Sequence, residues 1–146
     1  MSLPGPAPGL VIRYAFLWSH EAKAGHREGR KDRPAAILVA VRRTSEVQSS
    51  VVVVPITHRK PSPAQPAIEI PATVSKVLGL DGDRHWIRLD ELNRFSWPGY
   101  DLRPIPGSKP PRYVYGMLPK PLFEQVRQAI LALEAERRPT AIDRDT

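Results

Sequence analysis

His26, Arg33, Thr57, Arg88 and Asp90 have the side-chain types that would open a phosphodiester through the neighbouring hydroxyl of a ribose. That reaction needs a base to take the 2′-hydroxyl proton. It needs a cation over the charge that builds on the phosphoryl oxygens. It also needs an acid to protonate the departing 5′-oxygen. Residue types alone do not assemble such a site. Arg88 and Asp90 lie two apart, on one face of a strand, and on residues alone they read best as a surface ion pair. His58, Arg59 and Lys60 follow Thr57 and read equally as a solvated turn.

The positions of these residues relative to the apolar runs say more. Residues 51 to 60 read VVVVPITHRK. A buried strand ends at Pro55–Thr57, and its last side chains emerge on a rigid support. Pro55 cannot donate to a ladder, which suits a strand leaving its sheet. Arg33 precedes Pro34, which biases it to an extended conformation at the mouth of the next apolar run, AAILVAV. The spacing predicts strands over Leu10–Trp18, from Pro34, over VVVVPI, over AIEI, over HWIRLDELNRF and over RYVYGML. The second and third are nearly continuous apolar runs and are expected to be central. ATVSKVLGL fits either a short helix closed at Gly79 or irregular structure. The segment SHEAKAGHREGRKD predicts a long mobile loop, and residues 98 to 111, with five prolines, an extended one.

From Pro119 onward, Leu122, Val126, Ala129 and Leu133 form one apolar stripe with Phe123 and Ile130 beside it, which predicts a helix. Prolines 119 and 121 suit its start, and Arg137 and Arg138 suit its end. No crossover helices alternate with the strands. The expected fold is therefore mainly β with a C-terminal helix, as a small antiparallel barrel. One domain is expected over residues 10 to 137, with disorder over 1 to 9 and over 138 to 146.

The chain has 146 residues, 41% of them hydrophobic, and no cysteine. Disulfides, thiolate zinc sites and cysteine nucleophiles are thereby excluded. No run of about 18 apolar residues suggests a membrane span, and the N-terminus carries no signal-peptide pattern, so a cytoplasmic protein is expected. His20, His26, His58 and His85 show no metal-ligand spacing, and there is no phosphate-binding glycine loop, so neither metal nor cofactor is expected. His20 and His85 read as structural. The net charge is +7. Between Ser19 and Lys60 nine basic residues face four acids, which points to a polyanion, nucleic acid first.

Four segments resemble, in order, the MazF/PemK family of toxin endoribonucleases, and its PemK (Kid) branch most. They are AGHREGRKDRPAAILV, VVVVPITHRK, WIRLDELNRFSW and YGMLPKPLFEQVRQAIL. Together they span roughly residues 9 to 133. The resemblance implies an SH3-like barrel that works as a homodimer and cuts single-stranded RNA without metal. The expected products carry a 2′,3′-cyclic phosphate and a 5′-hydroxyl. It further implies growth inhibition, relieved by a cognate acidic antitoxin through which the pair also binds DNA. By the motif matches, Arg33, Thr57, Arg88, Asp90 and His26 are catalytic: Asp90 the base, the two arginines holding the phosphate, His26 the acid. His58, Arg59, Lys23, Arg30 and Lys31 would contact RNA. His58 stands where the family has serine, and Glu91 where the branch has glutamine. Two other readings fit the barrel: a CcdB-like gyrase inhibitor, which would lack the Arg-Pro and Pro-Ile-Thr pairing, and an inactive RNA- or partner-binding barrel.

Overall fold

The computed structural model describes residues 4–27, 29, 31–42, 47–82, 84–136 and 139–145. Among the described residues eight strands form one curled, half-barrel sheet, mostly antiparallel, closed on one face by a C-terminal helix. In chain order the elements are β1 Leu10–Tyr14, α1 Ser19–Lys23, β2 Arg33–Val41, β3 Ser49–Thr57, β4 Ala67–Ile70, α2 Ala72–Leu78, β5 His85–Arg88, β6 Glu91–Trp97, β7 Val114–Met117, α3 Lys120–Ala135 and β8 Thr140–Asp143. The sheet runs β4-β5-β3-β2-β1-β7, and β6 joins β3 to β8. Among the described residues no helix is long and apolar enough to cross a membrane.

The unbroken apolar runs of β2 and β3 have a direct cause: both faces of the sheet are covered. Val11, Ala36, Leu38, Val54 and Ile56 pack on one face against Leu122, Val126, Ile130 and Leu133 of α3. Their strand neighbours Ile12, Tyr14, Ala35, Ile37, Val51 and Val53 pack on the other with Phe16, Phe95 and Trp97. The stripe expected on α3 is the one buried, with Ile130 a full member and Ala129 only partly covered. Arg137 and Arg138 lie outside the described residues. ATVSKVL is helical, and Gly79 ends it at φ 73°, a left-handed turn that favours glycine.

Three expectations are corrected. HWIRLDELNRF is two strands, not one. β5 pairs Ile56 and Thr57 of β3, β6 pairs Ser49 to Val53, and Val54 and Pro55 face the interruption. Pro55 lacks the N–H that an uninterrupted ladder would use. The segment after Trp18 is not wholly loop. Glu21 accepts the Trp18 N–H at 3.0 Å and Glu91 accepts both the N–H and the hydroxyl of Ser19 at 2.7 Å, which starts α1. The C-terminal tail, expected to be disordered, forms β8 parallel to β6, from Glu91↔Thr140 to Arg94↔Asp143. At the other terminus, residues 4 to 9 form no helix or strand, but Gly9 donates to Ile37 and its carbonyl accepts from Leu118.

Candidate functional site

The strand register brings the two sequence-predicted residues Arg33 and Thr57 together. β2 and β3 pair Ala35 with Pro55, and Arg33 and Thr57 each lie two residues beyond that pair, at the same end of the two strands. Thr57 pairs Trp86 of β5, and Arg88, two residues on, shares that face. The mouths of β2, β3 and β5 therefore present Arg33, Thr57 and Arg88 into one pocket of about 680 Å³. Lys31, His58 and Arg59 line it too, as do Arg13, Trp18, His20, Glu21, Lys60 and Tyr115. Six Lys and Arg residues line the pocket against three acids, Glu21, Asp32 and Asp81. Asp32 is itself engaged by Arg103 at 3.5 Å. The excess of positive charge suits an anion.

Trp18 organises two of the guanidiniums. Arg33 lies 5.0 Å and Arg88 5.1 Å from the centre of its ring, within range for cation–π attraction. Arg88 is held from its other side by Asp90, whose two carboxylate oxygens accept from Nε and Nη2 at 2.8 Å each. This bidentate pair fixes the plane of the Arg88 fork. Arg33 has no such partner. Its Nε is buried without a hydrogen bond, and no carboxylate of the described residues comes within ion-pair distance. Burial pushes its pKa down; Glu21 nearby opposes this and Arg59 adds to it. An arginine remains protonated even so. A half-buried cation with an unsatisfied donor costs stability.

Thr57 is buried, and its Oγ1 accepts the Arg59 N–H at 3.1 Å. That turn folds His58 and Arg59 back over the pocket and leaves the hydroxyl proton of Thr57 available to donate. His85, also on the lining, is buried, with Nε2 against the Asp81 carbonyl and Nδ1 3.1 Å from Ser75 Oγ. Both ring nitrogens are engaged, as expected of a structural histidine.

The other expected site residues are placed differently. Asp90 reaches the pocket only through Arg88 and is not on its lining. His26 and Lys23 lie beyond the lining; the His26 N–H donates to the Glu21 carbonyl where the chain leaves α1. Arg30 lies outside the described residues. Sequence reasoning set aside His20 and Lys60, both of which line the pocket, and passed over Trp18, Glu21, Arg13 and Tyr115. Arg13 left a visible signal: a charge inside the apolar run LVIRYAFLW. It donates to Tyr115 Oη at 3.0 Å and the Asp32 carbonyl at 3.3 Å, with its Nε buried and unpartnered. Glu91, noted only as a departure from a motif, has a structural role in holding Ser19.

Among the described residues no group of three or more His, Cys, Asp or Glu side chains could hold a metal ion. The lining offers guanidiniums, the Thr57 hydroxyl and three imidazoles, of which His85 is already engaged on both ring nitrogens. Comparison of the chain with protein-family models, with curated proteins and with solved structures returns no match.

Proposed function

We propose that this protein is a metal-independent endoribonuclease of the MazF/PemK type, an SH3-like barrel acting on single-stranded RNA as the toxin of a toxin–antitoxin pair. The observation that carries the reading is Arg33: a guanidinium with a buried, unpaired Nε, on one pocket lining with the Thr57 hydroxyl and sharing the Trp18 ring with Arg88. Three such donors on one lining fit the non-bridging oxygens of a phosphodiester.

In this reading Arg33, Arg88 and Thr57 hold the scissile phosphate. The ribose 2′-oxygen attacks phosphorus and its proton passes to a base. The bond from phosphorus to the 5′-oxygen breaks, and an acid protonates that oxygen. The products carry a 2′,3′-cyclic phosphate and a 5′-hydroxyl. Asp90, with both oxygens on Arg88, serves to orient that fork rather than to act as the base. His26 stands off the lining, so the proton transfers fall to His20 and His58, which are on it. Imidazole is the side chain suited to give and take protons near neutrality.

The pairing of Asp90 with Arg88 also favours a second reading, a barrel that binds RNA without cutting it. The two separate in one experiment. Wild type, His20→Ala and His58→Ala are incubated with labelled RNA at saturating protein. In the endoribonuclease reading wild type cleaves, and each histidine variant binds as before but cuts at least tenfold more slowly. Binding without cleavage by wild type would leave only the second reading. A homodimer in the cytoplasm, neutralised by an acidic antitoxin segment that competes for these arginines, completes the proposal.

A further inference from the structure

The C-terminal tail ends in a buried charge. The Arg144 side chain is only 2% exposed. Its guanidinium donates to the Ala15 carbonyl at 2.7 Å, to Asn93 Oδ1 at 3.1 Å and to the Arg27 carbonyl at 3.3 Å, and pairs with Asp101 at 2.8 Å. Asn93, fully buried, clasps Leu17 through both ends of its side-chain amide: Oδ1 accepts the Leu17 N–H at 2.9 Å and Nδ2 donates to the Leu17 carbonyl at 2.8 Å. One guanidinium thus ties down the chain before α1, at Ala15 directly and at Leu17 through Asn93, and after it, at Arg27. Between those points lie Trp18, His20 and Glu21 of the pocket. Only a planar fork with several donors can make these bonds at once; a lysine ammonium cannot.

The strand that delivers Arg144 has almost no apolar anchor of its own. Thr140, Ala141 and Asp143 are exposed and only Ile142 is half-buried. Polar contacts hold β8 in place: its ladder to β6, Arg144, and Asp145, which accepts from Ser96 and Arg94. An element so attached is detachable without breaching the core.

We propose that Arg144 is a positioning residue for the pocket, and that the docked tail is a strap that sets α1 and thereby holds Trp18 against Arg33 and Arg88. The effect on RNA rests on the endoribonuclease reading; the strap itself does not.

The test uses full-length Arg144→Lys, with Asp101→Asn as a second, milder variant, and Val126→Ala as a control destabilised in the core at a residue off the pocket lining. Amide exchange is followed over residues 17 to 27, and single-turnover cleavage is measured at a temperature where all are folded. Arg144→Lys is expected to speed exchange over 17 to 27 at least tenfold and to slow cleavage at least tenfold. Val126→Ala should do neither to that extent, even with an equal loss of melting temperature. Unchanged exchange in both Arg144→Lys and Asp101→Asn would overturn the strap. Faster exchange with cleavage within twofold of wild type, or an equal rate loss in Val126→Ala, would overturn the positioning role. Failure of the endoribonuclease reading is distinct: wild type itself would be inactive, while the exchange measurement still decides the strap.

Discussion

Arg33 sits in the protein at a cost. Its Nε is buried and unsatisfied, and such a group typically costs about 1–3 kcal/mol. Groups kept at a cost to stability are characteristic of sites that meet a ligand. Arg33→Met should therefore leave the melting temperature unchanged or raised, and lower kcat about 10²- to 10³-fold, the usual loss when one charge-stabilising donor is removed. Differential scanning and cleavage kinetics on the same preparation check both halves. Thr57→Val keeps the shape but removes both the donor and the acceptor of the Arg59 N–H. A rate loss of about 10²-fold is expected, with KM rising as the basic turn loosens. Arg33 and Thr57 were legible in the sequence because each borders an apolar run that must be a central strand, and strand ends are where a rigid sheet presents side chains. Trp18 was not legible. Its role depends on contacts with Arg33 and Arg88, 15 and 70 residues away in the chain, and no local pattern encodes them.

At the scale of elements, α3 was readable from its stripe alone, because one-sided burial writes a helical period into the sequence. Ile130, 1% exposed, should cost about 2–5 kcal/mol on replacement by alanine, read as a shift in the denaturant midpoint. β8 was unreadable for the opposite reason. With its side chains exposed, its attachment is made by backbone and by polar groups distant in sequence, and PTAIDRDT carries no period. Gly29 likewise gives no local signal, yet a Cβ there would collide with the Phe16 carbonyl. The attachment of β8 has a pH signature. Burial tends to raise the Asp145 carboxyl, but hydrogen bonds from Ser96 and Arg94 outweigh it and hold its pKa below the ordinary value. A depressed carboxylate stabilises the docked tail above its unfolded pKa of about 3.9 and loses that effect as the pH falls through the folded value. The tail should stay docked at pH 5 to 7 and loosen below about pH 4. The Ile142 methyl resonance, followed by NMR from pH 6 to 3, should report this transition. In Asp145→Asn the low-pH step should vanish, with the tail looser throughout.

For the molecule as a whole, a net charge of +7 is gathered where it can act: six cations line one pocket. The excess of basic residues between Ser19 and Lys60 pointed to this face, but their division between pocket and surface depends on register and turn geometry, as Lys23 and Lys60 illustrate. If Arg33 and Arg88 share the scissile phosphate and Arg59 neutralises a second, the log–log slope of RNA affinity against salt should be about −1.4 or steeper, at roughly −0.7 per phosphate. Fluorescence anisotropy across a salt series measures it, and Arg59→Gln should reduce the slope by about 0.7. Affinity indifferent to salt would instead point to a protein target. Most direct of all is incubation of the purified protein with mixed-sequence RNA in EDTA, with the ends of the products mapped. Fragments bearing 2′,3′-cyclic phosphates and 5′-hydroxyls, formed by wild type and lost in Arg33→Met, are the predicted result; RNA left intact by wild type, or cut to leave 5′-phosphates, would contradict it.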